Sequence, residues 1–402
     1  MGPLAGIRVL DLGQIIAGPS VSATLAALGA DVIKVEPLGG EKARHMGAIG
    51  VGIFCAYNRG KRSIEVNLSA DGGQAIVRSL VARADVVIAN VRPGKLDALG
   101  LGPDKMCAAH PRLIYATVTG YPTDGESPER VGLDIAAQAE SGMMSITGEA
   151  DGDPQRTGFT VVDVATADGL VQAIMVALFV RERTGLGERI QVSLLETAVY
   201  LQAVNLGEFS KTGVEPMRRS GQPGIAPAAD YIRVAGGGIV LSAYSKEHWP
   251  RLCHVIGRPE LIEDPRFASN EARAKNRKAL LQLLEDALAG MPRSEAIRLL
   301  VEGGIVVGDV RTYREVVAAT DVVQSGMLLR TFDEVGDAID VPRLPYRFAT
   351  WRQSPQPVPR LGEHTLEVLA DLGYDQDSID ELVRRGVVGT TPPGGDSRKA
   401  SH

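Results

Sequence analysis

The sequence is poor in cysteine and in aromatic residues, and it has fewer positive than negative charges. Its three cysteines, Cys55, Cys107 and Cys253, show no C-x-x-C spacing, so neither a disulfide framework nor a zinc site is indicated. Aromatic residues make up 4% of the chain, and 43 Lys and Arg against 49 Asp and Glu give a formal net charge of −6. This balance disfavours a nucleic-acid partner. We expect reduced thiols, a cytoplasmic location and no metal site.

Signals for export or for a membrane are also scarce. The N-terminal residues MGPLAGIRVLDL have no apolar segment behind a basic start, and no run of about 18 apolar residues stands out. We therefore expect a protein that is neither exported nor membrane-spanning. Its 402 residues suit two lobes rather than one core. A hydrophobic fraction of 44% with 23% charged residues is typical of a globular enzyme.

The first residues predict a β-α-β unit. Residues 7–12 (IRVLDL) and 31–36 (DVIKVE) have the short Val/Ile runs of parallel strands buried on both faces, with a helix of small residues between them. The predicted fold class is therefore α/β. Glu36 could hold the ribose of a dinucleotide, but Gly13 and Gly18 lack the G-x-G-x-x-G spacing. A nicotinamide site is thus disfavoured.

One carboxylate stands at the start of a long apolar helix. After Asp163 the residues Ala165, Gly169, Ala173 and Ala177 recur at about one-turn spacing, which predicts a helix packed on most sides. Unpaired backbone N–H groups and the helix dipole stabilise negative charge there by about 0.3–1 kcal/mol, so we expect Asp163 to be ionised. The local pattern leaves two roles open, because Asp is also a preferred N-cap residue.

The remaining sequence predicts the division into domains. We expect a large doubly wound, Rossmann-like domain made of residues 1–225 and 326–388. A smaller α+β domain, with a strand followed by helical apolar spacing, is expected over residues 226–325. The tail, residues 389–402, is rich in Pro, Gly and small polar residues and is expected to be disordered.

Several motifs together resemble those of the family III CoA-transferases, the group of formyl-CoA transferase, carnitine CoA-transferase and the 2-methylacyl-CoA racemases. They are Asp163, Gly169, the A-L-x-x-R-x-R-T-G-x-G-E run over 177–188 and the strand-like IQVSLLETAV from Ile190. The resemblance covers about residues 3 to 388. It implies an acyl-CoA donor, a small carboxylic acid acceptor, and coenzyme A as substrate thioester without a metal. It also implies a homodimer of two interlocked subunits.

The resemblance further implies the residues of the site. The acid matching Asp163 is the nucleophile, which carries the acyl group and then CoA. The basic element around Lys61 resembles one that borders the CoA nucleotide, where cations suit the phosphates, although such a run is usually a solvated edge. Lys95 and Arg92 are the alternatives for an arginine that the formyl-CoA branch has where this chain has Ala98. The implied CoA-binding residues are Ile16, Ala17, Arg44, Val66, Asn67, Leu68, Ser69, Asn90, Val91, Arg92, Lys95, Val131 and Asp134, and the implied loop over the site contains Gly221, Gln222 and Pro223.

Two alternatives to CoA transfer stay open, and the residues disfavour one of them. The racemases have a histidine where this chain has Leu133, and leucine exchanges no proton, so racemisation is disfavoured. A CoA-binding protein without catalysis would share the nucleotide contacts. We predict transfer through an aspartyl anhydride and an aspartyl-CoA thioester, with oxyanions stabilised by N–H groups of the helix start and the glycine loop. Ile16 and Leu133 differ from the formyl-CoA branch, which disfavours oxalate and formate as substrates.

Overall fold

The structure is a computed structural model that describes residues 1–126, 128–218, 229–243 and 245–391. The chain divides into two compact units. The first consists of Met1–Met143, Thr157–Lys211 and Gln324–His402, and the second of Met144–Arg156 and Thr212–Val323. Each unit is therefore built from separate stretches of the chain.

The strands of the described chain are short, as parallel strands between helices usually are. They are β1 (Arg8–Asp11), β2 (Asp31–Glu36), β3 (Arg62–Val66), β4 (Val86–Ala89), β5 (Ile114–Thr119), β6 (Arg189–Ser193), β7 (Ala229–Val234), β8 (Gly237–Ser242), β9 (Val306–Asp309), β10 (Leu328–Phe332), β11 (Ala338–Pro342) and β12 (Val388–Gly389).

The helices vary more in length, and the longest of them carries Asp163. They are α1 (Ala17–Ala27), α2 (Gly47–Asn58), α3 (Asp71–Val81), α4 (Lys95–Ala98), α5 (Pro103–Ala109), α6 (Asp134–Glu140), α7 (Val161–Thr184), α8 (Leu194–Tyr200), α9 (Ala203–Thr212), α10 (His248–Val255), α11 (Asn270–Lys275), α12 (Arg277–Leu288), α13 (Arg293–Glu302), α14 (Tyr313–Ala318), α15 (Thr320–Gln324), α16 (Thr365–Leu372) and α17 (Gln376–Arg384).

The first unit is organised around one seven-stranded sheet. Its strand order is β12-β3-β2-β1-β4-β5-β6, and neighbouring strands are parallel except β12, which runs antiparallel to β3. The order 3-2-1-4-5-6 is that of doubly wound sheets, in which ligands bind beyond the carboxyl ends of the strands where the order reverses. The prediction of an α/β fold is confirmed by this parallel-rich sheet. Its reversal, between β1 and β4, is where a ligand is expected.

Helices cover both faces of this sheet. On one face, Val21 of α1 and Ile174 of α7 are fully buried against residues such as Val86. On the other, Ile76 of α3 is fully buried against Val87, together with residues of α5, α16 and α17. Because alternate residues of β4 point to opposite faces, both faces need an apolar cover.

The helix α7 lies in this core on one side only. Among the residues that the structure describes, it is the helix long and apolar enough to cross a membrane, and 39% of its apolar window is buried in the protein. Leu170 and Ile174 face the sheet, whereas Val176 and Phe179 are 63% and 64% exposed. The burial of its inner side is that of a core helix, and its outer side is an apolar surface.

The second unit has its own core. The strands β7, β8 and β9 form an antiparallel sheet, and α10, α12 and α13 contribute to the same apolar cluster. Trp249, Leu252, Phe267 and Leu284 are at its centre. The second unit thus contains both helices and an antiparallel sheet within one hydrophobic core.

Candidate active site

A cavity of about 600 Å³ lies at the carboxyl edge of the large sheet. Three of its walls are the segments that follow β1, β4 and β5, so it lies at the reversal of strand order, where doubly wound sheets bind ligands. The residues that line it are Gln14, Ile15, Ile16, Ala17, Lys42, Asn90, Val91, Arg92, Pro93, Lys95, Val118, Thr119, Gly120, Arg130, Val131, Gly132, Leu133, Asp163 and Leu194.

Asp163 is the acid of this cavity. It lies in the first turn of α7 and is partly buried. Among the described residues, none donates a hydrogen bond to its carboxylate. Burial, and secondarily the negative charge of Asp134, raise its pKa from 3.8 to about 7. We expected an ionised Asp163 from its place at the helix start; burial and the charge of Asp134 oppose ionisation, so both the protonated and the charged form are populated near neutral pH.

The backbone N–H groups at the start of α7 are bonded to Asp134 and not to Asp163. Its Oδ2 accepts hydrogen bonds from the backbone N–H of Val162, at 2.8 Å, and of Asp163, at 3.1 Å. Its Oδ1 accepts one from the side chain of Gln138 at 2.5 Å. Three N–H groups therefore converge on the Asp134 carboxylate. Asp134 thus caps α7 from a distance, and the alternative of Asp163 as the N-cap does not match the geometry.

Of the seventeen site residues predicted from the sequence, eight line the cavity that contains Asp163. Gln14, Ile15 and Lys42 line the same cavity and were missed, although Gln14 and Ile15 directly precede a predicted contact. Tyr57 was missed too, and its pKa is raised by burial and then by the charges of Asp163 and Asp168. The predicted residues that line the cavity are Ile16, Ala17, Asn90, Val91, Arg92, Lys95, Val131 and Asp163.

Other predicted residues lie elsewhere. Arg44 is pinned by Glu36, whose Oε2 is 2.7 Å from its Nε. Val66 is buried and pairs with Val388 of β12, and Asn67 donates to the carbonyl of Gly386 and accepts from the N–H of Ser69. Together with Leu68, Ser69 and Asp134, these side chains are not part of the cavity wall. Gly221, Gln222 and Pro223 lie outside the described residues.

Cations surround the cavity, but they are not equivalent. Arg130 is held by two hydrogen bonds of 2.9 and 2.6 Å to Glu140, and it stacks on the ring of Tyr121. By contrast, Lys42, Arg92 and Lys95 are exposed, and in the described part of the chain no carboxylate lies within 4.0 Å of them. Three unpaired cations beside one cavity suit an anionic ligand such as a phosphate ester.

Fold and cavity together define a doubly wound α/β protein with a carboxylate and free cations in its ligand crevice. The family described as CoA-transferase family III matches residues 4–365, and the chain belongs to this family. The resemblance inferred from the motifs is thereby confirmed, and the protein is a CoA-transferase that acts on CoA thioesters.

Individual relatives agree with this assignment. The chain is 38% identical, over 92% of its length and 98% of the relative, to a protein of Mycobacterium tuberculosis named probable fatty acyl-CoA transferase. It is 34% identical, over 96% of its length and 90% of the relative, to the Homo sapiens succinyl-CoA:glutarate CoA-transferase. Its structure is similar to that of a CAIB/BAIF family protein from Brucella suis, with a TM-score of 0.84, 34% identity and coverage of 92% and 99% of the two chains.

Proposed function

We propose that the protein moves CoA from an acyl-CoA thioester to a carboxylic acid with Asp163 as a covalent nucleophile. The observation that carries this proposal is the position of Asp163. Its carboxylate lines a cavity at the ligand-binding edge of the sheet, and Asp134 has taken over the capping of α7. Asp163 is therefore left without a structural task.

The reaction can be written with no net change at Asp163. The carboxylate attacks the carbonyl carbon of the donor thioester, the C–S bond breaks, and an aspartyl anhydride and CoA thiolate form. The thiolate attacks the aspartyl carbonyl, releasing the donor acid and leaving an aspartyl-CoA thioester. The acceptor carboxylate attacks this thioester and expels the thiolate again. Attack of the thiolate on the acceptor carbonyl of the second anhydride then forms the new acyl-CoA and restores Asp163.

The environment of Asp163 suits such a nucleophile. Burial strips water from the carboxylate, which is why its pKa is raised, and a poorly hydrated anion attacks a carbonyl more readily. The N–H groups of Val162 and Asp163 are bonded to Asp134. They are therefore not free as oxyanion donors, contrary to our expectation from the sequence. The other expected donors, in the glycine loop, lie outside the described residues.

The free cations at the mouth are proposed to bind the phosphates of CoA. We expect Arg92→Ala and Lys95→Ala each to raise KM for the acyl-CoA donor about tenfold, since one charge-assisted hydrogen bond contributes about 1.5 kcal/mol. The value of kcat should change little, because phosphates lie far from the reacting carbonyl. Steady-state kinetics at low and high salt measure this effect, which should shrink as salt screens the charges.

Lys105→Ala is the matched control for these two variants. Lys105 is an exposed cation of α5 in the same unit and does not line the cavity. Its KM should equal that of the wild type. Equal KM values in all three variants would contradict a phosphate site at Arg92 and Lys95.

Racemisation of an acyl-CoA is the alternative chemistry for a buried acid. A racemase needs a second proton-exchanging group beside the α-carbon, and this chain has Leu133 in the cavity wall. Incorporation of solvent deuterium into the α-carbon of the acyl-CoA, without any carboxylic acid acceptor, would favour the racemase over the transferase. A CoA-binding protein without catalysis would show neither deuterium incorporation nor transfer to any acceptor.

We further propose that the functional unit is a homodimer with interlocked subunits. The support from this chain is a broad apolar surface on α7, α8 and α9, where Phe179, Tyr200 and Val204 are 64%, 80% and 82% exposed. Monomeric proteins rarely expose so many large apolar side chains on neighbouring helices. A second copy of the chain would cover this surface.

The dimer proposal predicts that Phe179→Asp weakens self-association. A charge buried in an apolar interface is costly, so the variant should elute as monomer or aggregate where the wild type elutes as dimer. Size-exclusion chromatography with light scattering at micromolar concentration measures the mass. Glu182→Ala, three residues further along the same exposed helix end, is the control and should stay dimeric. A monomeric wild type would refute the proposal.

A further inference from the structure

Ile15 has a backbone conformation that β-branched residues rarely adopt. Its φ is 66°, and within the described ranges it is the one residue other than glycine with a positive φ. Such a conformation costs free energy and persists only where the surrounding structure imposes it. Ile15 lines the Asp163 cavity with its neighbours Gln14 and Ile16. The strain therefore lies in the wall of the site.

Glu41 is placed to impose this conformation. Its Oε2 accepts a hydrogen bond of 2.7 Å from the backbone N–H of Ile15. The Glu41 side chain is 1% exposed, and the Nζ of the fully buried Lys34 lies 3.1 Å from its Oε1. A charged acceptor makes a stronger hydrogen bond than a neutral one. The Lys34 ion pair therefore keeps a strong acceptor fixed against the Ile15 N–H.

The neighbouring backbone is fixed as well. Lys34 Nζ donates to the carbonyl of Gly13 at 3.0 Å. The amide of Asn90 accepts from the N–H of Gln14 at 2.7 Å and donates to its carbonyl at 2.8 Å. Among the described side chains, Glu41 is the one that bonds to the backbone of Ile15 itself. Side chains thus bond to the backbone of Gly13, Gln14 and Ile15 in the turn after β1, and Glu41 is the partner of the strained residue, Ile15.

We propose that Glu41 is a positioning residue for the reaction at Asp163. Its hydrogen bond to the Ile15 N–H maintains the left-handed backbone conformation of Ile15. This conformation fixes the part of the cavity wall that Gln14, Ile15 and Ile16 form. This inference rests on the proposed transferase function. Glu41 does not line the cavity, so it acts through the backbone and not on the substrate. Misplacement of a site by about 1 Å can lower a rate on the order of 100-fold.

Three variants test the proposal through kcat and KM. Glu41→Ala removes the acceptor, and kcat should fall about 10- to 100-fold, with KM for the acyl-CoA changed less than about threefold because the phosphate-binding cations are untouched. Glu41→Gln keeps one acceptor oxygen but loses the charge that pairs with Lys34, so its kcat should lie between those of Glu41→Ala and the wild type. Ile15→Gly in the Glu41→Ala background should recover much of the lost kcat, since glycine adopts a positive φ without strain.

A matched control separates this effect from general loosening of the turn. Ile16→Gly in the Glu41→Ala background should give no recovery, because Ile16 already has an ordinary φ of −121°. A loss in Glu41→Gln as large as in Glu41→Ala would overturn the proposal by assigning the effect to charge alone. Failure of Ile15→Gly to restore kcat, or recovery with Ile16→Gly, would overturn it too.

A crystal structure of Glu41→Ala provides a test independent of activity. The φ of Ile15 should leave the left-handed region, and an unchanged positive φ would refute the role of Glu41. If the wild type transferred CoA to no acceptor while φ changed as expected, the proposed function would fail and the conformational role would stand. If Glu41→Ala does not fold, Glu41→Asp, whose shorter side chain moves the acceptor away from the Ile15 N–H, takes its place in the kinetic and crystallographic tests, with Ile15→Gly and Ile16→Gly added in that background.

Discussion

Replacing Asp163 by alanine is expected to abolish CoA transfer, with kcat/KM lowered about a thousandfold or more. Loss of a covalent nucleophile has effects of this size, because the remaining site can bind but cannot form the intermediates. Wild-type enzyme incubated with donor should yield an aspartyl hydroxamate at residue 163 after hydroxylamine treatment. The variant should yield none. Mass spectrometry of the peptide containing residue 163 and initial rates of acyl-CoA formation measure both effects.

Asp168→Ala is the matched control for Asp163→Ala. Asp168 lies on the same helix and is exposed, but it does not line the cavity. Its variant should retain activity within a few-fold of the wild type and should still form the hydroxamate at Asp163. Transfer activity or hydroxylamine trapping that persists in Asp163→Ala would reject the covalent mechanism.

The Asp163 variant is also expected to fold. Asp134, not Asp163, accepts the hydrogen bonds of the helix start, so α7 keeps its cap. The folded-state pKa of Asp163 is raised from 3.8 to about 7, so the folded protein binds this proton more tightly than the unfolded chain does. The carboxylate therefore costs stability as pH rises through this window. Asp163→Asn should melt at a higher temperature than the wild type at pH 8, with a smaller difference at pH 5.

The rate of the wild-type enzyme should depend on pH in the neutral range. The nucleophile is the carboxylate, and its pKa is about 7, so kcat/KM should rise tenfold per pH unit below this value and level off above it. At pH 5 the expected kcat/KM is about 100-fold below the plateau. A profile of kcat/KM from pH 5 to 9, with donor stability checked at each pH, measures the inflection.

Asp134→Asn tests the cause of this inflection. The variant removes the negative charge that contributes to the raised pKa of Asp163, while an amide oxygen can still accept from the helix N–H groups. The inflection should move to lower pH. Because burial is the larger cause, it should stay above the ordinary value of about 4 for an aspartate. A wild-type inflection already near 4 would show that Asp163 is not desolvated in solution.

Strand and helix positions in the large sheet follow closely from the sequence. The Val/Ile runs predicted strands at residues 7–12 and 31–36, and the structure has Arg8–Asp11 and Asp31–Glu36. The helix expected after Asp163 begins at Val161. These elements are predictable because their apolar pattern is local and each is buried where the pattern requires.

Hydrogen bonds between residues that are far apart in sequence could not be predicted from local patterns. The cap of α7 comes from Asp134, 29 residues before Asp163, and no local pattern connects the two. The conformation of Ile15 was beyond prediction as well, because its β-branched side chain favours extended backbone and the partner that overrides this preference is Glu41. The raised pKa of Asp163 has the same origin, since it depends on burial and on the charge of the sequence-distant Asp134.

The antiparallel strand β12 affects how the large sheet is completed during synthesis. Val388 and Gly389 complete one border of the large sheet by pairing with Val66 and Glu65, although more than 300 residues separate the partners in sequence. During synthesis this border stays open until residues 388 and 389 have been added and have left the ribosome. Premature termination before residue 388 would leave an unpaired strand edge available for aggregation. An affinity tag should therefore be added after residue 391 and should not replace β12.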